Sequence, residues 1–409
     1  MNFSSFFFLS VVVLCMGLPA RAELTARLTK HGSNKSTLDW SAFRVSGGAA
    51  ERLFLQTLQN DLKLSGCFIN KSASPAEYRI VGSAAANGPR LTVQISAVDQ
   101  LNSAIYGQAF EHQAQDAQVR DLAHRIADEL VEKLAGQKGI AQARIALIGT
   151  ASNRKELYLA GSDGQGIMQI TNDQSLSLSP NWSQDGRSLV YTSYLMGYPD
   201  IYRITLNTGK RERISNFPGL NTGGALSPDG QNVALVLSKD GKPELYVKNL
   251  PTGRVTRLTK TRSSPKASPS WSPDGNRIVF VSGHEGGPLL YTISRSGGRV
   301  TPLRVGGVEN VAPNWGPDGR ICYASRVGRD QYGIRIYDPA AQGNKVTEVT
   351  SGQAGSFEDP SWASNGRHIY CSRKVNYRSS IYLLDTLGDP PIALISSGKG
   401  DWYTPKASP

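Results

Sequence analysis

Ser268–Ser282 reads SPSWSPDGNRIVFVS, and the fold turns on whether this stretch occurs once or recurs. Its tetrad Ser272-Pro273-Asp274-Gly275 has the chemistry of a tight turn. Proline presets φ at the first corner, aspartate bonds nearby backbone N–H groups, and glycine accepts a left-handed backbone. Ile278 to Val281 then form a continuous, largely β-branched apolar run, as expected of a strand covered on both faces. A single copy predicts a hairpin with Trp271 on one arm.

The stretch recurs. SPNWSQDG begins at Ser179, GGALSPDG at Gly223, APNWGPDG at Ala312 and DPSWASNG at Asp359. With Trp182, Leu226, Trp271, Trp315 and Trp362 as markers, the spacings are 44, 45, 44 and 47 residues. Each turn leads into a strand such as SLVYTS from Ser188, then a second such as DIYRIT from Asp200. A third strand follows a glycine-bearing turn, as in RERIS from Arg211. Four strands in about 45 residues is the unit of a β-propeller blade. The period-2 patterns and the density of glycine and proline exclude a helical solenoid.

The ends of the repeat set the blade count. Arg144–Gly149, Glu156–Ala160 and Met168–Thr171 supply three strands with no motif before them. The missing strand is TPKASP at the chain end, where Ala407 lies 45 residues after Trp362. The expectation is a six-bladed β-propeller closed by the C-terminal strand, which removes two open sheet edges. The motif proline then lies on the innermost strand of each blade, an edge where a missing N–H costs little.

Ahead of the repeat the patterns change. Phe6 to Val13 is almost wholly apolar and Ala20-Arg21-Ala22 fits a small-x-small cleavage site, so residues 1–22 read as a signal peptide and the mature chain begins at Glu23. Residues 23–36, with alternating Leu24, Ala26 and Leu28 and then polar, glycine-containing sequence, read as a mobile strand-forming tail or a frayed terminus. Residues 37–137 read as a small N-terminal α/β domain, with helices over Ala49–Leu64 and Gln118–Leu134 and strands over Tyr78–Gly82, Leu91–Val98 and Tyr106–Glu111. Residues 138–143 are a linker and 144–409 the propeller. His124 falls opposite the apolar stripe of the second helix and is expected at the surface.

The net charge of +12 is uneven: Glu23–Ala143 carries 13 Lys/Arg against 12 Asp/Glu, and Arg144 onward carries 31 against 21. The cations are scattered, so the second half reads as a solvated basic surface or one that meets an acidic partner rather than nucleic acid. Cys67, Cys322 and Cys371, odd in number and widely spaced, read as buried free thiols.

There is no GxSxG elbow, and His31, His112, His124, His284 and His368 fall in no metal-ligand spacing. Asp185, Asp229, Asp274 and Asp318 recur once per blade, as turn formers do. Glu358-Asp359 is the one paired-carboxylate candidate at a channel mouth, with no second polar cluster beside it. No catalytic residue, metal or cofactor is expected.

The signal peptide, α/β domain, six WSPDG-type blades and closing tail, in this order, resemble the TolB family of the Tol–Pal envelope system. HRIADELVEKLAGQKGIAQARIALIG and SNFPGLNTGGALSPDG carry the resemblance most specifically. The resemblance implies a monomeric periplasmic binding protein that does not enter the membrane and has two partners. Residues 23–36 would then be a partner-binding tail, on which a TolA-like inner-membrane protein would meet Glu23, Leu24, Thr25, Ala26, Arg27 and Leu28. A Pal-like outer-membrane lipoprotein would meet Phe217, Leu220, Asn221, Arg262, Lys266, Ala267, Glu309, Asn310, Glu358 and Asp359. Leu220 and Ala267 depart from the His and Thr expected there. The competing readings are a propeller lyase or peptidase and a general protein-interaction propeller.

Overall fold

From Arg144 onward the alternating apolar strands and the Asp-Gly turns fold into six four-stranded antiparallel sheets. The computed structural model describes residues 35–71, 75–261, 265–283, 287–398 and 400–409. The innermost strands are Ser177–Trp182, Asn221–Leu226, Lys266–Trp271, Asn310–Trp315, Ser356–Trp362 and Trp402–Ala407. The last of these pairs with Arg144–Gly149, Trp402 opposite Gly149 and Ala407 opposite Ile145, so the chain end closes the sixth blade as expected.

The motif tryptophans tie blades together. The Trp182 indole Nε1–H donates to the Lys406 carbonyl at 2.7 Å and that of Trp271 to the Ala225 carbonyl at 2.8 Å, each across to the preceding innermost strand. Trp271 also packs with Leu245 and Phe280 in the seam between two blades.

The turn aspartates behave as their chemistry suggests. Asp274 accepts the Ser272 hydroxyl and the Asn276 N–H, and Asp185 repeats this with Ser183 and Arg187.

Every innermost strand carries a bulge. Ser179, Ser268, Ala312, Asp359 and Thr404 precede the motif proline with φ between 46 and 52°, and Gly223 occupies the same place at 71°. At each the pairing register with the next strand shifts. A non-glycine residue held left-handed costs about 1–3 kcal/mol. The extra residue bends the strand, so two neighbouring side chains are left half-open between buried ones, as with Glu358 and Asp359 between Phe357 and Pro360.

The α/β portion comprises β1 (Ser36–Val45), α1 (Ala49–Leu64), β2 (Phe68–Asn70), β3 (Tyr78–Asn87), β4 (Arg90–Val98), β5 (Ala104–Gln113) and α2 (Asp116–Ala135). Its sheet runs β2-β1-β3-β4-β5, with β1 parallel to both neighbours. Leu58 and Leu62 of α1 and Leu122, Ile126 and Leu130 of α2 bury against Ile80, Val93 and Ile95.

His124 is not at the surface. It is buried with Nδ1 2.6 Å from an Asp61 oxygen on α1, because α1 packs against α2 and covers that side of it with a buried carboxylate. Burial alone would lower the His124 pKa, but the Asp61 bond outweighs it and holds the imidazole above its ordinary value.

A left-handed Gly136 stops α2. The Asp128 carboxylate then accepts the Ala141 and Gln142 N–H groups at 2.8 and 3.0 Å, which fastens the linker. Arg367, in a propeller turn, forks onto Asp385 at 3.0 and 2.6 Å while donating to the Gly66 carbonyl and to Gln137. Arg120 of α2 pairs with Asp163. The three cysteines are free and buried.

Candidate interaction face at the free end of the propeller

Innermost strands end at the Trp and the turn that follows. Those turns, with the ends of the third strands, form the propeller end that meets α1, α2 and the linker through Arg367, Asp385 and Asp163. The opposite end is built from segments entering the innermost strands and from loops joining second to third strands. It is called the free end below.

Most of the sequence-expected partner residues sit here, but they do different jobs. Phe217 and Leu220 are half-exposed. Asn221 is buried and knots its loop: its amide donates to the Phe217 carbonyl at 2.7 Å and its carbonyl accepts the Phe217 N–H at 2.9 Å. In the next-but-one blade Asn310 makes the donating half of this knot, to the Gly306 carbonyl at 2.8 Å.

Lys266 is also buried, its Nζ 3.0 Å from both Thr261 Oγ1 and Ser282 Oγ, whereas Ala267 is exposed. Glu309 is held by Arg326 at 3.1 Å and by the Tyr332 hydroxyl. Arg262 and the segment Glu23 to Leu28 lie outside the described residues, as do the signal peptide, His31 and His284. The buried asparagines and Lys266 therefore shape the loops, while Phe217, Leu220, Ala267 and Glu309 line their outer side.

Glu358 and Asp359 are half-exposed at the bulge of the innermost strand Ser356–Trp362. Burial pushes the Asp359 carboxyl up to about 6, with Lys406 pulling it down and Glu358 adding to the rise. Glu358 accepts the Ser356 hydroxyl at 2.7 Å. Among the described residues no three His, Cys, Asp or Glu side chains converge in a way that could hold a metal ion.

The sequence reading missed the apolar part of this end. Leu176, Leu195, Met196 and Tyr198 form a patch on one blade, tied by the Tyr194 N–H to the Leu176 carbonyl at 2.9 Å. Tyr198 is 74% exposed, and Tyr377, on a matching loop of the fifth repeat, 88%. Val308, Val327 and Val375 lie at the same end and are exposed too. The signal was available in YLMGY at 194–198, an apolar run where a turn between strands is otherwise polar. Basic residues back the aromatics, with Lys374 over Tyr377 and Arg373 over Phe357 and Tyr382.

Known proteins share this architecture. A family model described as the TolB beta propeller domain matches residues 131–409. The Tol-Pal system protein TolB of Francisella tularensis is 30% identical over 295 residues, covering 69% of this chain and 67% of that protein. The protein of the same name from Desulfosudis oleivorans is 34% identical over 187 residues, 46% of this chain and 42% of that one, so the chain spans less than half of that relative's length. In three dimensions, the crystal structure of TolB from Acinetobacter baumannii superposes with a TM-score of 0.81 at 24% identity, covering 93% of this chain and 98% of that one. The repeat, the ring closure and these likenesses agree: the chain belongs to the TolB β-propeller family.

Proposed function

We propose that this protein is a periplasmic binding component of the Tol–Pal system that links a Pal-like outer-membrane lipoprotein to a TolA-like inner-membrane protein, and so serves envelope integrity and constriction at division. The observation that carries the reading is the free end. Large apolar side chains, Met196, Tyr198 and Tyr377, stay exposed there beside loops that buried Asn221 and Asn310 knot through their side-chain amides. A rigid rim with exposed aromatics suits protein recognition, because the side chains bury area on docking with little loss of freedom.

The basic balance of the propeller favours an acidic partner surface. Export through residues 1–22 would place it in the periplasm. Among the described residues no helix is long and apolar enough to cross a membrane. The tail Glu23–Leu28 would engage the inner-membrane partner.

The test mixes the mature chain, and a form lacking Glu23–Leu28, with the periplasmic domain of a Pal-like lipoprotein. Both forms should bind it, and only the intact chain should bind a TolA-like domain. Absence of any Pal-like complex with either form would overturn the reading.

A further inference from the structure

The channel has a second mouth, on the side of the α/β portion, that partner binding at the free end leaves unused. Here the innermost strands end around a cavity of about 350 Å³, a volume within the range of small-molecule sites. Trp182, Trp271, Trp315 and Trp362 form part of its wall. The charged side chains in its lining are Lys138 and Lys406, with no Asp or Glu side chain among them, and Pro409 is part of the same lining.

Lys406 belongs to the closing strand, and the acidic group that acts on it most is Asp359 of the neighbouring innermost strand. Among the described residues no carboxylate forms an ion pair with Lys406. Burial lowers the pKa of its ammonium while Asp359 opposes the fall. A half-buried ammonium with no carboxylate at ion-pair distance favours an anion that can reach it.

The side chains beside it are oriented by the ring itself. Ser270 Oγ accepts the Trp315 N–H at 3.0 Å, Asn314 Oδ1 the Trp362 N–H at 2.8 Å and Ser361 Oγ the Ala407 N–H at 3.2 Å. With these oxygens committed to the next blade, the hydrogens of the two hydroxyls and of the Asn314 amide are left for the cavity. Donors and an ammonium converge where no carboxylate side chain competes.

We propose that this cavity binds a small oxyanion, a carboxylate or phosphate group, on Lys406 with Ser270, Asn314 and Ser361, and with Lys138 at the rim. The indole walls cover the remainder of the ligand. Charge-assisted hydrogen bonds from an ammonium and oriented hydroxyls supply the attraction.

The test titrates the mature chain with inorganic phosphate and, separately, with succinate, following tryptophan fluorescence and calorimetric heat. Saturable binding of at least one is expected, and which one identifies the anion class. Lys406→Met should weaken it by about tenfold or more, Lys406→Arg should keep most of it, and the exposed Lys138→Met should weaken it less while leaving the fold intact. No saturable response to either anion, or equal affinity in Lys138→Met and Lys406→Met, would overturn the assignment. Because the cavity lies opposite the partner face, these variants should still bind a Pal-like domain, so failure here and failure of the functional reading are distinguishable.

Discussion

At one end of the propeller Arg367 is buried between Asp385, the Gly66 carbonyl and Gln137, and Leu64 and Ile140 pack into the propeller core beside Tyr370. At the other end Met196, Tyr198 and Tyr377 stand in solvent. Both ends come from one repeat, so the difference does not lie in the blade. It lies in whether a covering layer already satisfies the loops. At the covered end Arg367 is paired with Asp385 and Arg120 with Asp163, and Leu64 and Ile140 are buried. The uncovered end keeps apolar side chains exposed on loops beside those that buried asparagines hold, which fits a surface whose partner arrives from outside.

The sharpest way to break this contrast is at the covered end. Arg367→Ala leaves Asp385, 5% exposed, without its guanidinium. Loss of one partner from a buried ion pair costs about 3–5 kcal/mol. A urea midpoint should fall accordingly, and amide exchange should rise around Gly66 and Gln137. Arg367→Lys should recover only part of the loss, because an ammonium cannot fork onto two carboxylate oxygens and a carbonyl together.

Acid should act on the same end. Burial lowers the His368 imidazole from 6.5 to about 4, with Asp385 pulling the other way. The folded chain then declines a proton that the unfolded chain accepts, so this contribution is full above pH about 6.5 and is lost as pH falls towards about 4. Asp61 and Asp359, both raised by burial to about 6, act with the opposite sign, since the folded form takes their protons first. Comparing His368→Asn with the wild type in urea at pH 7 and pH 5 isolates the histidine. The variant should lose less stability on acidification, and an unchanged pH dependence would remove His368 from the account.

Two smaller effects sharpen the contrast. Asp274→Ala removes the acceptor for Ser272 and Asn276 in a repeat turn and should cost about 1 kcal/mol. Met196→Ser and Tyr198→Ser, at the free end, should change stability by no more than about 0.5 kcal/mol yet weaken a Pal-like partner about tenfold. A large stability loss there would show that those side chains serve the fold.

The repeat made the propeller legible, because a turn with fixed chemistry every 44 to 47 residues leaves few other architectures. The C-terminal strand was legible too, since the ring had to be sealed and Pro405 kept the register of the motif. β1 was not: its register breaks between Asp39 and Ala42, so its apolar residues never alternate cleanly. β2 is only three residues long and gains its place by lying parallel to β1.

His124 was misread because helical periodicity assigns one buried face, whereas α2 is covered by the sheet on one side and by Asp61 of α1 on another. At the free end, position singled out Asn221, Lys266 and Asn310, but their roles as loop supports depend on hydrogen bonds that spacing cannot reveal. The patch around Met196 was legible as an apolar turn in YLMGY, but its place at the same end as Tyr377 and Val308 follows only from the assembled blades.

Hydrogen exchange of the mature chain, alone and with a Pal-like periplasmic domain, tests the central claim most directly. The account predicts protection in the loops at 194–199, 217–220, 308–309 and 375–377, with the α/β portion unchanged. Protection confined to α1, α2 and the turns beside Arg367, with those loops unaffected, would contradict it.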